Sequence, residues 1–260
     1  MRYFVGLLAL AVFMSSSPAW AGKKDDLDKK AVEIVKKVGD LYKDAKAVHA
    51  DMTIVSTMGE GKDKKEVKLD GTYDLAKPNL IAVRTNLEGE KPAGTPVTPL
   101  EMVCDGKKLF TSAKALKQYS ENDAPESMTD LGRGLLGMGP PNVGMLFGNI
   151  MIDDPYETLM SGVTDCTLAG KEKIEGVECN HIKFKQPEFD WELFIAAEGK
   201  PFVMRMTNTR SDGDNKFTTV ETYKNWKIED AADKSKFSFT PPKESKKVDE
   251  LNLRGEGDTK

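Results

Sequence analysis

The sequence predicts an α+β fold, in which one amphipathic helix precedes an antiparallel sheet of about nine to eleven strands. Three observations support this prediction. Apolar residues recur every three or four positions between residues 24 and 47, the spacing of a helix with one buried face. From Val48 onward, apolar and polar residues alternate, as in strands with one buried face. Short segments with glycine, proline or aspartate separate the alternating stretches, as in hairpins.

The helix predicted over residues 24–47 has Leu27 and Ala31 among its apolar positions, with lysines and aspartates between them. Asp26 and Asp28 fall in its first turn, where carboxylates interact favourably with the helix dipole. Because one face of this helix is apolar, we expect that face to pack against the sheet.

The alternating segments give the predicted strands in chain order. Asp105–Gly106 and Glu175–Gly176 are the turn residues of two of the expected hairpins. The predicted strands are residues 48–59, 67–75, 80–87, 101–104, 109–111, 164–174, 177–185, 191–195, 202–210, 216–228 and 237–239.

The first 21 residues have the pattern of a cleaved export signal. Arg2 supplies a positive charge, residues 5–14 form an uncharged apolar run, and Ala19-Trp20-Ala21 has the small-x-small pattern of a cleavage site. The apolar run is shorter than the about 20 residues that a spanning helix needs. We therefore expect cleavage after Ala21, a periplasmic location and no permanent membrane anchor.

Composition argues against several classes of partner and cofactor. Lys and Arg number 38 against 42 Asp and Glu, and the two signs are interspersed, so that no basic block predicts nucleic-acid binding. Cys104, Cys166 and Cys179 allow at most one intramolecular disulfide, and any of the three pairings is possible. Their spacing fits no zinc motif, so neither a metal nor another cofactor is predicted.

Residues 125–160 interrupt the strand pattern. This stretch is rich in glycine and holds five of the twelve methionines of the chain. Gly132–Gly137 fits a dinucleotide-binding pattern, but no hydrophobic strand precedes it as that motif requires. We interpret the segment as short helices and loops over an apolar surface, because methionine and glycine can repack around ligands of varied shape.

No arrangement typical of a hydrolase is apparent. His49 and His181 are both out of phase with the apolar residues of their strands, which predicts that they face outward. A nucleophilic enzyme would need a histidine beside a serine or cysteine. A pair of carboxylates meeting across a cleft stays open as an alternative, but we expect a binding protein rather than an enzyme.

Several segments resemble known export proteins in their order along the chain. Gly71-Thr-Tyr-Asp-Leu-Ala-Lys-Pro78 resembles the opening of the LolA/LolB superfamily of lipoprotein carriers. Cys104-Asp-Gly-Lys-Lys-Leu-Phe110 resembles the hairpin with an aromatic residue that follows in such proteins. The second half is similar to a domain family of unknown function in predicted periplasmic proteins. The segments of that similarity are residues 170–181, Asp190-Trp-Glu-Leu-Phe-Ile195, Gly199-Lys-Pro201, Asn225-Trp226 and Phe237-Ser-Phe-Thr-Pro-Pro242.

This resemblance implies a strongly curved, unclosed antiparallel sheet, a half-barrel whose concave face is covered by helices. In carriers of that superfamily the groove holds acyl chains. The implied organisation is one half-barrel domain over residues 22–243 and a flexible tail over residues 244–260. The long Gly/Met segment and the tail depart from the carriers, and no binding residue transfers position by position.

The resulting hypothesis is an exported binding protein for a hydrophobic small molecule, a lipid or an acylated protein. An envelope module whose groove is filled by its own side chains is the alternative. The residues predicted to line the groove are apolar ones from the Gly/Met segment and from one strand: Met138, Met145, Leu146, Phe147, Met151, Trp191, Leu193 and Ile195.

Overall fold

A computed structural model describes residues 27–59, 61, 64–90, 97–137, 146–187, 189–212 and 215–251. The predicted signal and its cleavage after Ala21 lie outside these residues. Helix α1 (Lys29–Asp44) confirms the helix expected near the start, with shorter bounds. It begins after Asp28, whose carboxylate accepts hydrogen bonds from the backbone N–H groups of Lys30 and Ala31.

Twelve strands follow in one sheet, slightly more than the nine to eleven expected. The two extra strands are the short β6 and β12. The strands are β1 (Ala47–Met58), β2 (Lys65–Ala76), β3 (Leu80–Glu88), β4 (Glu101–Asp105), β5 (Lys108–Ala113), β6 (Gln118–Asp123), β7 (Asp165–Ile174), β8 (Val177–Lys185), β9 (Asp190–Ala196), β10 (Val203–Asp212), β11 (Asn215–Glu229) and β12 (Lys246–Lys247).

The sheet is an unclosed half-barrel, which confirms the predicted fold class. Its strand order is β12-β6-β5-β4-β3-β2-β1-β11-β10-β9-β8-β7, and all pairings are antiparallel except that of β12 with β6. Strands β6 and β7 are consecutive in the chain but lie near opposite edges. The segment between them therefore crosses the open side of the half-barrel.

In its described residues, this crossing segment forms three short helices, as expected of the Gly/Met stretch. They are α2 (Met128–Gly137), α3 (Phe147–Ile150) and α4 (Pro155–Met160). Asp154 caps α4 by accepting a hydrogen bond from the backbone N–H of Glu157, and Pro155 occupies its first turn. We call α1 to α4 the helical cover.

The face of the sheet under the helical cover is the concave face, and it holds the main core. Buried residues of α1, α2, α3 and α4 form one cluster with inward residues of strands on both halves of the sheet. Two smaller clusters lie on the convex face. One includes Phe237 and Val103, and the other includes Phe194 and Cys179.

The structure differs from the sequence prediction near the C-terminus. Residues 237–239 were expected to form a strand, but Lys234–Phe237 is a 3-10 turn that places Phe237 in a convex cluster. Phe239 stacks on Phe110 with ring centroids 4.7 Å apart. The predicted flexible tail starts at Glu244, whereas Lys246–Lys247 still pairs with β6 as β12. Residues 252–260 lie outside the described part.

Candidate ligand-binding face

The centre of the concave face is a single row of side chains that crosses eight strands. Each member is directly paired with the next in the register of the sheet. From β7 to β3, the row consists of Leu168, Ile182, Leu193, Met206, Glu221, Ile54, Leu69 and Leu87. We call it the central row. All of its members are apolar except Glu221.

Glu221 is a buried acid within this apolar surface. Its side chain is on the same face of β11 as Tyr223, and only 2% of the residue is exposed. The Tyr223 hydroxyl donates a hydrogen bond to Oε2 of Glu221. The backbone N–H of Leu146, at the start of α3, donates to the same oxygen at 3.4 Å. Glu221 therefore joins the sheet to the helical cover.

Aromatic side chains surround this position on the α1 side. The rings of Tyr73 and Tyr223 meet edge to face with centroids 5.8 Å apart, and Tyr73 packs against Trp226 at 5.5 Å. Tyr42 of α1 lies 5.5 Å from the same indole, whose Nε1 donates to the carbonyl oxygen of Val203. Burial raises the pKa of Tyr42, Tyr73 and Tyr223, so these phenols stay neutral.

The helical cover is tightly packed where α1 meets α4. Gly39 lies so close to α4 that an added Cβ would be 2.6 Å from the Cβ of Tyr156. No side chain fits at that distance without displacing one of the two helices. The absence of a side chain at Gly39 is thus what allows α4 to lie against α1.

Five of the eight predicted groove residues are described with their side chains, and all five are buried in the main core. Leu146, Met151, Leu193 and Ile195 are fully buried, and Trp191 is 4% exposed. Met138 and Met145 lie outside the described residues. Phe147 is the first residue of α3, and its side chain is also outside the description.

Trp191 has a notable position among the predicted residues. Its ring stacks on that of Phe184 with centroids 3.8 Å apart and an interplanar angle of 5°. Its Nε1 is buried and has no hydrogen-bond partner within the described part of the chain. A buried N–H without an acceptor is uncommon and unfavourable, because its hydration is lost without replacement.

Sequence reasoning missed Glu221, Tyr42, Tyr73 and Tyr223 as part of this face. The signal for Glu221 was its position two residues before Tyr223 in an alternating strand, which gives both side chains the same direction. Tyr42 similarly shares the apolar face of α1 with Val38 and Val35.

The family assignment follows from a comparison with family models. Residues 31–251 match a family described as "Predicted periplasmic protein (DUF2092)". The chain belongs to the DUF2092 family. This confirms the expected similarity to a periplasmic family of unknown function, and the family description agrees with the predicted periplasmic location. No curated protein matches this DUF2092 chain.

Solved structures with a similar course of the chain have low sequence identity. LprF from Mycobacterium bovis is 14% identical, with a TM-score of 0.43, over 84% of this chain and 99% of that one. Lipoprotein LppX from Mycobacterium tuberculosis is 15% identical, with a TM-score of 0.41, over 78% and 100%. A LolA superfamily protein from Nitrosomonas europaea is 12% identical, with a TM-score of 0.40, over 80% and 97%.

The two histidines of the DUF2092 chain are on the convex face, as predicted, and both contact carboxylates. His49 Nδ1 is 2.9 Å from Asp74, and its Nε2 is 3.5 Å from Asp51. His181 lies between Glu192 at 3.0 Å and Glu172 at 3.1 Å. It is only 8% exposed because its ring stacks on Phe194 in a convex cluster. These contacts hold the rings on the sheet, away from the concave face.

All three cysteines of the DUF2092 chain are free and buried. Cys104 and Cys166 are in the main core, and Cys179 is in a convex cluster. Burial raises the pKa of each thiol, in the case of Cys166 to about 12. None of the three possible disulfides is formed, and the thiols stay protonated at neutral pH.

The described residues contain neither a membrane-spanning helix nor a cluster of metal-binding side chains. Those residues contain no helix long and apolar enough to cross a membrane. Nor do they contain a group of three or more histidine, cysteine, aspartate or glutamate side chains that could hold a metal ion.

Proposed function

We propose that this DUF2092 protein is a periplasmic binding protein that holds a hydrophobic or lipid-like ligand between the concave face and the helical cover. The observation that supports this most is the central row, an almost continuous apolar surface across eight strands. Ligand sites of this kind are mostly apolar and have a small number of polar groups. Glu221 is the polar group in this row.

The helical cover is the part that a ligand would displace. Helix α3 has 4 residues and α4 has 6, whereas an isolated helix needs about 12 to 15 residues to be even marginally stable. These two helices are therefore maintained by tertiary contacts, which include the burial of Ile150 in α3 and of Leu159 in α4. A ligand that replaces those contacts would cover the apolar surface that the helices leave. Each Å² of apolar surface removed from water in this way contributes roughly 25 cal/mol of favourable free energy.

The same burial supports the alternative function. Leu131, Leu146, Ile150 and Met151 are buried in the core cluster on the concave face. If these side chains never leave, the protein is an envelope module with a self-filled core, and its interactions use another surface. The two functions differ in whether an apolar probe can enter.

Fluorescence titration with N-phenyl-1-naphthylamine distinguishes them. Protein refolded after delipidation should bind this dye, and Met206→Gln on the concave face should weaken binding several-fold. Thr207→Gln is the matched control, because it introduces the same side chain one residue away on the opposite face of β10. Absence of dye binding, or equal effects of the two substitutions, would refute ligand binding at the concave face.

A further inference from the structure

Glu221 has an unusual place for a carboxylate. It is directly paired with Met206 on one side and Ile54 on the other. The apolar part of the central row continues beyond it by four strands to Leu168 and by three strands to Leu87. With strands about 4.8 Å apart, these distances are roughly 19 Å and roughly 14 Å along the sheet.

A carboxylate in a protein core carries a cost in free energy. Burial removes its hydration, and an apolar side chain of similar size would pack there without that cost. Buried acids inside clefts are accordingly candidates for functional groups. The position of Glu221, near the middle of the proposed ligand-binding face, makes a role in ligand recognition the natural explanation.

Its hydrogen bonds indicate the chemistry that it recognises. The groups that donate to Oε2 of Glu221 include two neutral ones, the hydroxyl of Tyr223 and the backbone N–H of Leu146. The Tyr223 donor belongs to the same strand and stays in place when the cover moves. The Leu146 donor belongs to the helical cover, and it leaves if a ligand displaces α3. A ligand group at that place is best matched if it donates a hydrogen bond, because it then replaces the interaction that the Leu146 N–H made.

We propose that Glu221 selects amphiphiles whose polar group donates a hydrogen bond, such as a hydroxyl, an amide or an ammonium group beside an acyl chain. Fatty-acid anions are disfavoured, because a carboxylate head group offers only acceptor oxygens to the acceptor Oε2 of Glu221. This inference rests on the proposed function and adds the class of ligand to it. The apolar residues on both sides of Glu221 provide the surface for the acyl chain.

The test compares two ligands with the same acyl chain. 1-Monolauroylglycerol carries hydroxyl donors, and laurate at pH 8 is an anion. Each is titrated against bound N-phenyl-1-naphthylamine. We expect the wild-type protein to bind monolauroylglycerol at least fivefold more tightly than laurate. Glu221→Gln should reduce this preference below twofold, because an amide both donates and accepts.

One control variant separates recognition from general damage. Thr207→Gln changes the opposite face of β10 and should retain the preference of at least fivefold. Circular dichroism and the urea midpoint establish whether Glu221→Gln is folded. If it is not, Glu221→Met takes its place, because an apolar side chain of similar size is often tolerated where a charged group was buried, and it should likewise reduce the preference below twofold.

The outcomes distinguish a failure of ligand selection by Glu221 from a failure of the proposed function. Binding of both ligands by the wild-type protein with less than a fivefold difference overturns selection by Glu221 and leaves the proposed function standing. A preference that persists in folded Glu221→Gln overturns it too. If neither ligand nor the dye binds, the proposed function fails, and this inference fails with it.

Discussion

Asp28 connects the start of α1 to Leu168 at the edge of the sheet. Oδ2 of Asp28 accepts a hydrogen bond from the backbone N–H of Leu168 at 3.2 Å, while its Oδ1 caps α1. The backbone N–H of Asp28 donates in turn to the carbonyl oxygen of Cys166 at 2.9 Å. One residue thus both caps the helix and satisfies edge groups of β7, which orients α1 over the concave face.

The first prediction concerns the pH dependence of this contact. The Leu168 hydrogen bond lowers the pKa of the Asp28 carboxyl, so ionised Asp28 favours the folded state. Its contribution to stability is fully present above the usual aspartate pKa of 3.8 and is lost as the pH falls through the lowered value. Asp28→Asn retains a good helix cap but removes the carboxylate. In urea unfolding, the wild-type protein should be more stable than this variant at pH 7, and the difference should shrink at pH 2.5. An equal difference at both pH values would contradict the assignment.

The second prediction concerns the contact between α1 and α4. Gly39→Ala places a Cβ against Tyr156, and overpacking of this kind typically costs about 1–3 kcal/mol. Part of that cost is offset by the higher helix propensity of alanine, about 0.5–1 kcal/mol. We expect a net loss of about 1–2 kcal/mol in the free energy of unfolding, together with stronger binding of the apolar dye.

Asp40→Ala is the control for this variant, because Asp40 is exposed on the same helix. It should change the free energy of unfolding by no more than about 0.5 kcal/mol and should leave dye binding unchanged. If Gly39→Ala were as stable as the wild-type protein and bound dye equally, the close approach of α1 and α4 would not restrain the cover.

The third prediction contrasts two neighbours on the concave side of the sheet. Leu193→Ala removes a fully buried side chain from the central row and should cost about 2–5 kcal/mol. Trp191→Phe keeps an aromatic ring for the stack with Phe184 and removes the buried N–H, which has no partner among the described residues. The loss of that unsatisfied group offsets the smaller ring, so we expect a change of less than about 1.5 kcal/mol. Urea unfolding followed by circular dichroism measures both variants, and a larger loss for Trp191→Phe than for Leu193→Ala would contradict this account.

The fourth prediction concerns the thiols. Because burial raises the pKa of Cys104, Cys166 and Cys179, all three should be protonated and shielded at pH 8. The folded protein should therefore react slowly with Ellman's reagent, and three thiols should react at once in 6 M guanidinium chloride. Rapid reaction of even one thiol without denaturant would show that the cover or the sheet opens at that position.

The strands that could be predicted from the sequence are those with a regular alternation of apolar and polar residues. In β1, Val48, Met52 and Ile54 point to the core, and the observed bounds Ala47–Met58 agree closely with the prediction. Strand β6 (Gln118–Asp123) was missed because its residues are largely polar, which leaves no alternation to detect. The alternation of Phe237, Ser238 and Phe239 is equally misleading, since both rings pack on the convex face without forming a strand.

The candidate site was predicted only in its apolar part. Leu193 and Ile195 were found because alternation identifies the inward side of β9. Glu221 was missed because a charged residue in an alternating strand normally faces water, and pattern reasoning assigns it there. The face to which its side chain points depends on the pairing of Glu221 with Met206 and Ile54 in the neighbouring strands, and this sheet register cannot be read from β11 alone.

The most direct test of the central claim is native mass spectrometry of the protein isolated from the periplasm without detergent. We predict a population heavier than the bare chain, from which collisional activation releases a neutral or cationic acyl-bearing molecule. The bare mass alone, from a sample that after delipidation also binds neither N-phenyl-1-naphthylamine nor monolauroylglycerol, would contradict ligand binding at the concave face.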